Sequence, residues 1–171
     1  MLFLDVDGPL IPFGATQPYP TYPLDRPEPD GAGSHPLLDR IDPGHGPLLR
    51  ALPCELVWAT TWLADANESI CPRLGLPPLA VVDWPEPSDQ DALDEQRGLH
   101  WKTRTLVGWA AGRPFAWVDD EVAEADREWV SDHCPGRALV HRVNARVGLG
   151  DTDYVVLREW LREVHETLAI S

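Results

Sequence analysis

Five short apolar runs set the limits on what this chain can fold into: residues 1–6, 55–60 (ELVWAT), 79–84 (LAVVDW), 115–118 and 138–143. Their brevity and nearly unbroken apolar character predict strands buried on both faces, since a half-exposed strand alternates apolar and polar residues. Between them lie stretches with helical spacing at 62–71, 102–111, 121–133 and 152–168. Strands alternating with helices predict an α/β fold of three layers, a central parallel sheet of about five strands with helices on both faces, as in Rossmann-like proteins. With 171 residues and 43% hydrophobic content the chain supports one substantial core, so residues 1–171 are expected to form a single domain.

Residues 9–53 break the alternation. They hold eleven of the 18 prolines, including "TQPYPTYPLDRPEPDG". Proline lacks the N–H that a sheet interior or a helix needs, so this segment is expected to run over the surface, with one short helix near 47–52. Its position directly after the first strand suits a flap over the strand's end.

Charge narrows the partners. A net charge of −14 excludes general nucleic-acid binding, which needs a basic face. An anionic substrate can approach only where a cation or a cluster of arginines reverses the field. Of the 14 basic residues only Lys102 is a lysine, a compact point charge where the rest are planar guanidinium groups. No signal-peptide pattern and no bilayer-length apolar stretch occurs, so the expectation is a soluble cytoplasmic protein without a membrane partner. Cys54, Cys71 and Cys134 are odd in number and widely spaced, which points to buried free thiols. Homo-oligomerisation is left open.

In an open parallel sheet, ligands bind outside the carboxyl ends of the strands. The first run ends in Asp5-Val6-Asp7-Gly8, the second in Thr60-Thr61 and the fourth in Asp119-Asp120, and Lys102 opens the helix ahead of the fourth. Asp5, Asp7, Asp119 and Asp120 together make an all-oxygen environment suited to Mg²⁺, which would relieve their mutual repulsion. Asp5 can attack phosphorus as a nucleophile, and a second, protonated Asp can serve the leaving oxygen and then water. Thr60, with Thr61 as its competitor, and Lys102 would hold the transferring phosphoryl group. Gly8 permits a sharp turn after the pair.

"LDVDGPL", "LVWATTW", "HWKTR" and "FAWVDDE" resemble, in order, the four motifs of the haloacid dehalogenase-like (HAD) hydrolase superfamily. The resemblance spans nearly the whole chain and implies a Rossmann-like core, Mg²⁺ and hydrolysis of phosphate esters. It implies that Asp5 is the nucleophile and that Asp7 is the general acid/base, with a backbone carbonyl on the metal. Thr60 and Lys102 match the second and third motifs, and Asp120, with Asp119 beside it, matches the metal-binding acid of the fourth. Aspartate two positions after the nucleophile points to a phosphatase rather than a dehalogenase. Pro9 stands where a threonine or valine is more usual, and Glu124 and Asp126 compete for the further acid found past the fourth motif. Neither 9–53 nor 85–100 suggests a sizeable helical cap.

The expected function is an Mg²⁺-dependent phosphoester hydrolase acting through an aspartyl-phosphate. A nucleotide or polynucleotide-end phosphatase is the alternative, motivated by Trp58 and Trp62 flanking Thr60. A non-catalytic phosphate- or protein-binding module with the same fold is the alternative of another class. A receiver domain is rejected, because there the acidic pair lies on the first strand and the phosphoacceptor on the middle one. The six histidines lack ligand spacing, and Trp109, Trp129 and Trp160 read as core. Arg73, Arg104 and Arg142 remain unranked as substrate contacts.

Overall fold

The computed structural model describes residues 1–23 and 36–170, and shows a Rossmann-like α/β sandwich. Its strands are β1 (Leu2–Leu4), β2 (Leu56–Trp58), β3 (Ala80–Val81), β4 (Phe115–Asp119) and β5 (Ala138–Arg142). All pair in parallel in the order β3-β2-β1-β4-β5, with Leu2 opposite Leu56 on one side and Ala116 on the other. The helices are α1 (His45–Arg50), α2 (Asp65–Ser69), α3 (Cys71–Leu74), α4 (Asp89–Gln96), α5 (Thr103–Ala110), α6 (Glu124–His133) and α7 (Asp151–Ile170). Among the described residues no helix is long and apolar enough to cross a membrane.

Alternation along the strands builds two cores. Leu2 and Leu4 pack with Trp58, Ala116 and Val118 against Leu49 of α1, Leu74 of α3 and Leu157 of α7. Phe3 points the other way and packs with Val57, Phe115 and Trp117 against Leu106 of α5 and Val130 of α6. These strand residues are almost all sealed from water, which explains why their sequence is apolar without alternation. Each fully buried Leu or Phe contributes roughly 1.5–3 kcal/mol.

The ladder continues past the strands at the carboxyl edge. Asp5 N–H donates to Val118 O at 3.0 Å, Ala59 N–H to Leu4 O at 2.9 Å and Val143 N–H to Asp119 O at 3.0 Å. The residues just beyond β1, β2 and β5 are therefore held by backbone bonds before any side chain acts.

Several boundaries differ from the sequence expectation. The 62–71 helix arrives as two short pieces, α2 and α3, because Pro72 at the start of α3 has no N–H to continue the first. The helix expected at 121–133 starts at Glu124, where the Asp126 carboxylate caps the Ala123 N–H at 2.8 Å. Only Ala80 and Val81 of 79–84 pair as strand. α4 has no counterpart in the expectation: its surface is largely polar, and it is tied down through Asp94, which accepts from Arg104 Nη2 at 2.8 Å.

The proline-rich stretch is less superficial than its composition implies. Residues 24–35 lie outside the described residues. Of the remainder, Leu10, Ile11, Leu38, Ile41 and Leu49 are buried in the first core, because the apolar residues between prolines turn inward. The expected short helix is present as α1, two residues earlier than expected. Phe13 N–H donates to Ala145 O at 2.8 Å and Leu149 N–H to Pro9 O at 2.9 Å, so the segment's base is fastened to the β5–α7 loop.

α1 and α3 approach closely at Gly46, where a Cβ would lie 1.8 Å from Leu74 O. Gly46→Ala should therefore lower stability by about 2–3 kcal/mol or more through overpacking. Gly108, exposed in α5 with nothing within 4 Å of a Cβ, is the contrast. Gly108→Ala should raise stability by about 0.5–1 kcal/mol. Urea denaturation of the two variants checks both signs.

Candidate active site

Strand geometry brings the first three charged groups together. Asp119 continues the side of β4 occupied by Phe115 and Trp117, and Asp5 extends β1 beyond Phe3, so both face the layer that contains α5. Lys102 stands immediately before α5. Its Nζ lies 2.9 Å from Asp5 Oδ2 and 2.8 Å from Asp119 Oδ2, and all three side chains are buried. Burial works against the Lys102 charge, but Asp5 and Asp119 outweigh it and raise its affinity for the proton. Asp5 faces a different balance: burial and, less strongly, Asp119 push its carboxyl up, the Lys102 ammonium pulls it down, and the net position is about 7.

Asp119 is the more heavily engaged of the two acids, with three hydrogen bonds. Besides Lys102, its Oδ2 accepts from Trp117 Nε1 at 3.2 Å, and its Oδ1 accepts from Glu121 N–H at 2.9 Å. Asp5 keeps more capacity: Oδ1 accepts from Val6 N–H at 2.8 Å, and an unused lone pair remains on each oxygen. Asp120 is half-buried beside them, its carboxyl pushed up to about 6 by burial and by the Asp119 charge. Carboxylate oxygens of Asp5, Asp119 and Asp120 all lie within 4.8 Å of one another.

Gly8 makes this approach feasible. It has φ +82°, and a Cβ there would fall 2.4 Å from Asp120 Oδ1, so the first and fourth motifs meet only over a residue with no side chain. Asp7 stands apart from the trio. Its Oδ2 accepts a hydrogen bond from Trp62 Nε1 at 3.0 Å, which fixes the carboxylate at the mouth of the site. Thr60, at the end of β2, is buried, while Thr61 is exposed. Thr60 Oγ1 accepts from Trp62 N–H at 3.3 Å, leaving the hydroxyl proton to donate elsewhere.

Asp126 takes a positioning role that sequence reasoning did not find. One oxygen accepts from His100 N–H at 2.8 Å and from the Thr103 hydroxyl at 2.6 Å, and the other caps Ala123. Fully buried, it pins the turn carrying Lys102 to the start of α6. Glu124, the competing acid, is exposed and pairs with Arg127 at 3.1 Å. Asp126 sits three positions after Ala123, the capping offset that could have signalled this contact.

The aromatic residues also sort themselves. Trp58 is fully buried and donates Nε1 to Asn67 at 3.0 Å, so it belongs to the core and not to the site wall. Trp62 reaches Asp7, as described. Trp84 donates Nε1 to Thr60 O at 3.0 Å and meets Trp101 edge-on at 4.7 Å, which adds two rings that spacing did not reveal. Trp101 also lies under Lys102 Nζ at 5.5 Å. His100 is satisfied locally, with Nε2 3.2 Å from Glu121 Oε2. Among the arginines, Arg73 ends on Asp39 and Arg104 on Asp94, whereas Arg142 Nε donates to Asp120 O at 3.0 Å, beside the acids.

The donor set suits a hard divalent cation. Three clustered carboxylates and one ammonium leave a net charge of −2 when all are ionised, an excess that a divalent cation would offset. Asp5 and Asp120 retain free lone pairs, and Asp119, which holds Lys102 through Oδ2, keeps one on Oδ1. Fold and site together define a Rossmann-like α/β domain with a carboxylate–lysine centre at its carboxyl edge. No family model, curated protein or solved structure matches the chain.

Asp5 binds its proton more tightly in the folded chain, at about 7, than at the ordinary value of 3.8. Its contribution to stability is thus present in acid and is lost as pH rises through about 7. Without divalent cations, Asp5→Asn should gain stability relative to the parent between about pH 4 and about pH 8. Urea midpoints across that range check this, and a constant difference would contradict it.

Proposed function

We propose that this chain is an Mg²⁺-dependent phosphoester hydrolase of the HAD-like type that acts through an aspartyl-phosphate on Asp5. The observation that carries the reading is the meeting of Asp5, Asp119 and Asp120 within 4.8 Å, with a buried ammonium between the first two. The ordered resemblance of four sequence motifs to that superfamily supports the same chemistry.

In the first half-reaction a carboxylate oxygen of Asp5 bonds to phosphorus as the bond from phosphorus to the ester oxygen breaks. Asp7, protonated, gives its proton to the departing oxygen. In the second half, water attacks phosphorus, Asp7 takes the water's proton, and the bond to Asp5 breaks to release inorganic phosphate. The Trp62 indole keeps Asp7 oriented through both halves. Lys102 holds Asp5 in place and offers positive charge to the phosphoryl oxygens, and the Thr60 hydroxyl donates to one of them. Asp5 and Asp120, with the Asp7 backbone carbonyl that the resemblance implies, are the groups to hold Mg²⁺. When bound there, Mg²⁺ supplies further charge neutralisation at the phosphoryl group.

A nucleotide phosphatase is the second reading. Trp62, Trp84 and Trp101 favour it, lining the β2–β3 side of the site with indole rings, Trp101 being 42% exposed. Faster hydrolysis of nucleoside monophosphates than of sugar phosphates would select it, and equal rates would remove it.

Purified protein should hydrolyse p-nitrophenyl phosphate only when Mg²⁺ is supplied. Asp5→Asn should lower that rate by at least about a thousandfold, the scale on which loss of a nucleophile acts. A folded Asp5→Asn protein that keeps the parental rate contradicts the mechanism. Absence of turnover on a broad panel of phosphate esters would leave a non-catalytic binding module.

A further inference from the structure

We propose that the substrate carries a second anionic group, a phosphate or a carboxylate, held by Arg142 and Arg146 in the cavity that opens beside Asp120. The inference rests on the phosphoester-hydrolase reading and names the substrate class for the same site.

The cavity has a volume of about 410 Å³ and is lined by Asp120, Arg142, Val143, Asn144, Ala145 and Arg146. Asp120 belongs to both the cavity and the carboxylate trio, so the cavity lies directly beside the acids. A substrate with its scissile phosphate at Asp5 extends into this cavity on the β5 side, opposite the indole rings.

Charge is the second argument. This chain carries 28 acidic residues against 14 basic ones, and Arg73, Arg104 and Arg137 each end on a carboxylate. Arg142 and Arg146, like Arg40, Arg50, Arg97 and Arg158, form no carboxylate pair among the described residues, and of these only Arg142 and Arg146 line the cavity beside Asp120. Arg142 spends its Nε on Asp120 O at 3.0 Å, which aims the guanidinium while leaving the terminal nitrogens available. Two arginines lining one cavity offset the field of an acidic protein there, and their forked donors match phosphate and carboxylate oxygens.

The loop is also set in advance. Asn144 Oδ1 accepts from Arg146 N–H at 3.1 Å, and Asn144 O accepts from Val147 and Gly148 N–H at 2.9 Å each. The Phe13 bond to Ala145 O fastens the same turn to the proline-rich segment. A ligand therefore meets arginines on a fixed turn, which limits the ordering cost of binding.

The test pairs ligands that differ by one anion: fructose 1,6-bisphosphate with fructose 6-phosphate, and 3-phosphoglycerate with glycerol 3-phosphate. Calorimetry on the Asp5→Asn protein with Mg²⁺ measures binding without turnover, and kcat/KM on the parent measures use. The doubly anionic member of at least one pair should bind and react about tenfold better, and Arg146→Gln should abolish that preference. A preference in the first pair alone assigns the site to phosphate, and one in the second extends it to carboxylate. Arg142→Lys keeps the charge but not the fork, and should weaken the preference. Equal affinities within both pairs, or a preference that survives Arg146→Gln, overturns the proposal. Arg146-dependent binding without hydrolysis of any ester supports the anion site and removes the hydrolase reading. Hydrolysis without preference does the reverse.

Discussion

A single ammonium stands between two buried carboxylates, and the site's arrangement follows from it. Lys102 bridges Asp5 and Asp119 at 2.9 and 2.8 Å, and so joins the end of β1 to the end of β4 and both to the start of α5. Without the bridge, two carboxylates would face each other out of water, where an uncompensated buried charge costs about 3–5 kcal/mol. Such a pair is a poor source of net stability, since desolvation offsets most of its attraction. Its value lies in position. Asp119 is fixed by three further constraints, the Trp117 indole, the Glu121 amide and its own place in β4, so Lys102 in turn fixes Asp5.

The supports for this bridge lie in ordinary parts of the fold. Parallel pairing puts the ends of β1, β2 and β4 on one edge, and alternation sends Asp5 and Asp119 toward the same layer. Asp126 clamps the turn before α5 by gathering the His100 amide and the Thr103 hydroxyl. Gly8 admits Asp120 to within reach of Asp5 and Asp119. These contacts carry no chemistry themselves, yet each sets where a reacting group stands. The two flanks then differ in kind, with indole rings on the β2–β3 side and arginines on the β5 side.

Much of this was legible in the sequence because it is encoded locally. Strands buried on both faces leave unbroken apolar runs, and acids directly after such runs announce a carboxyl-edge site. The solitary lysine drew attention by composition, and its bridge to Asp5 and Asp119 gives that signal a physical meaning. What the sequence concealed depends on contacts between distant residues. Asp126 and Glu124 are equal candidates in the sequence, and only the His100 amide and Thr103 hydroxyl beside Asp126 separate them. Trp84 and Trp101 are 17 positions apart and meet only in the folded chain. Trp58, inside the second motif, turns away into the core because it occupies the opposite side of β2 from Val57. Proline density hid the buried Leu10 and Ile11, since composition averages over the few residues that point inward.

The central claim is that Asp5 is held by Lys102 yet remains free to bond phosphorus, with a divalent cation shared between it and Asp120. A crystal structure of the full chain with Mg²⁺ and beryllium trifluoride tests this most directly. The account predicts beryllium bonded to an Asp5 oxygen, Mg²⁺ between Asp5 and Asp120, and Lys102 within hydrogen-bond reach of a fluoride. Beryllium fluoride elsewhere, or Mg²⁺ bound away from both acids, would contradict it.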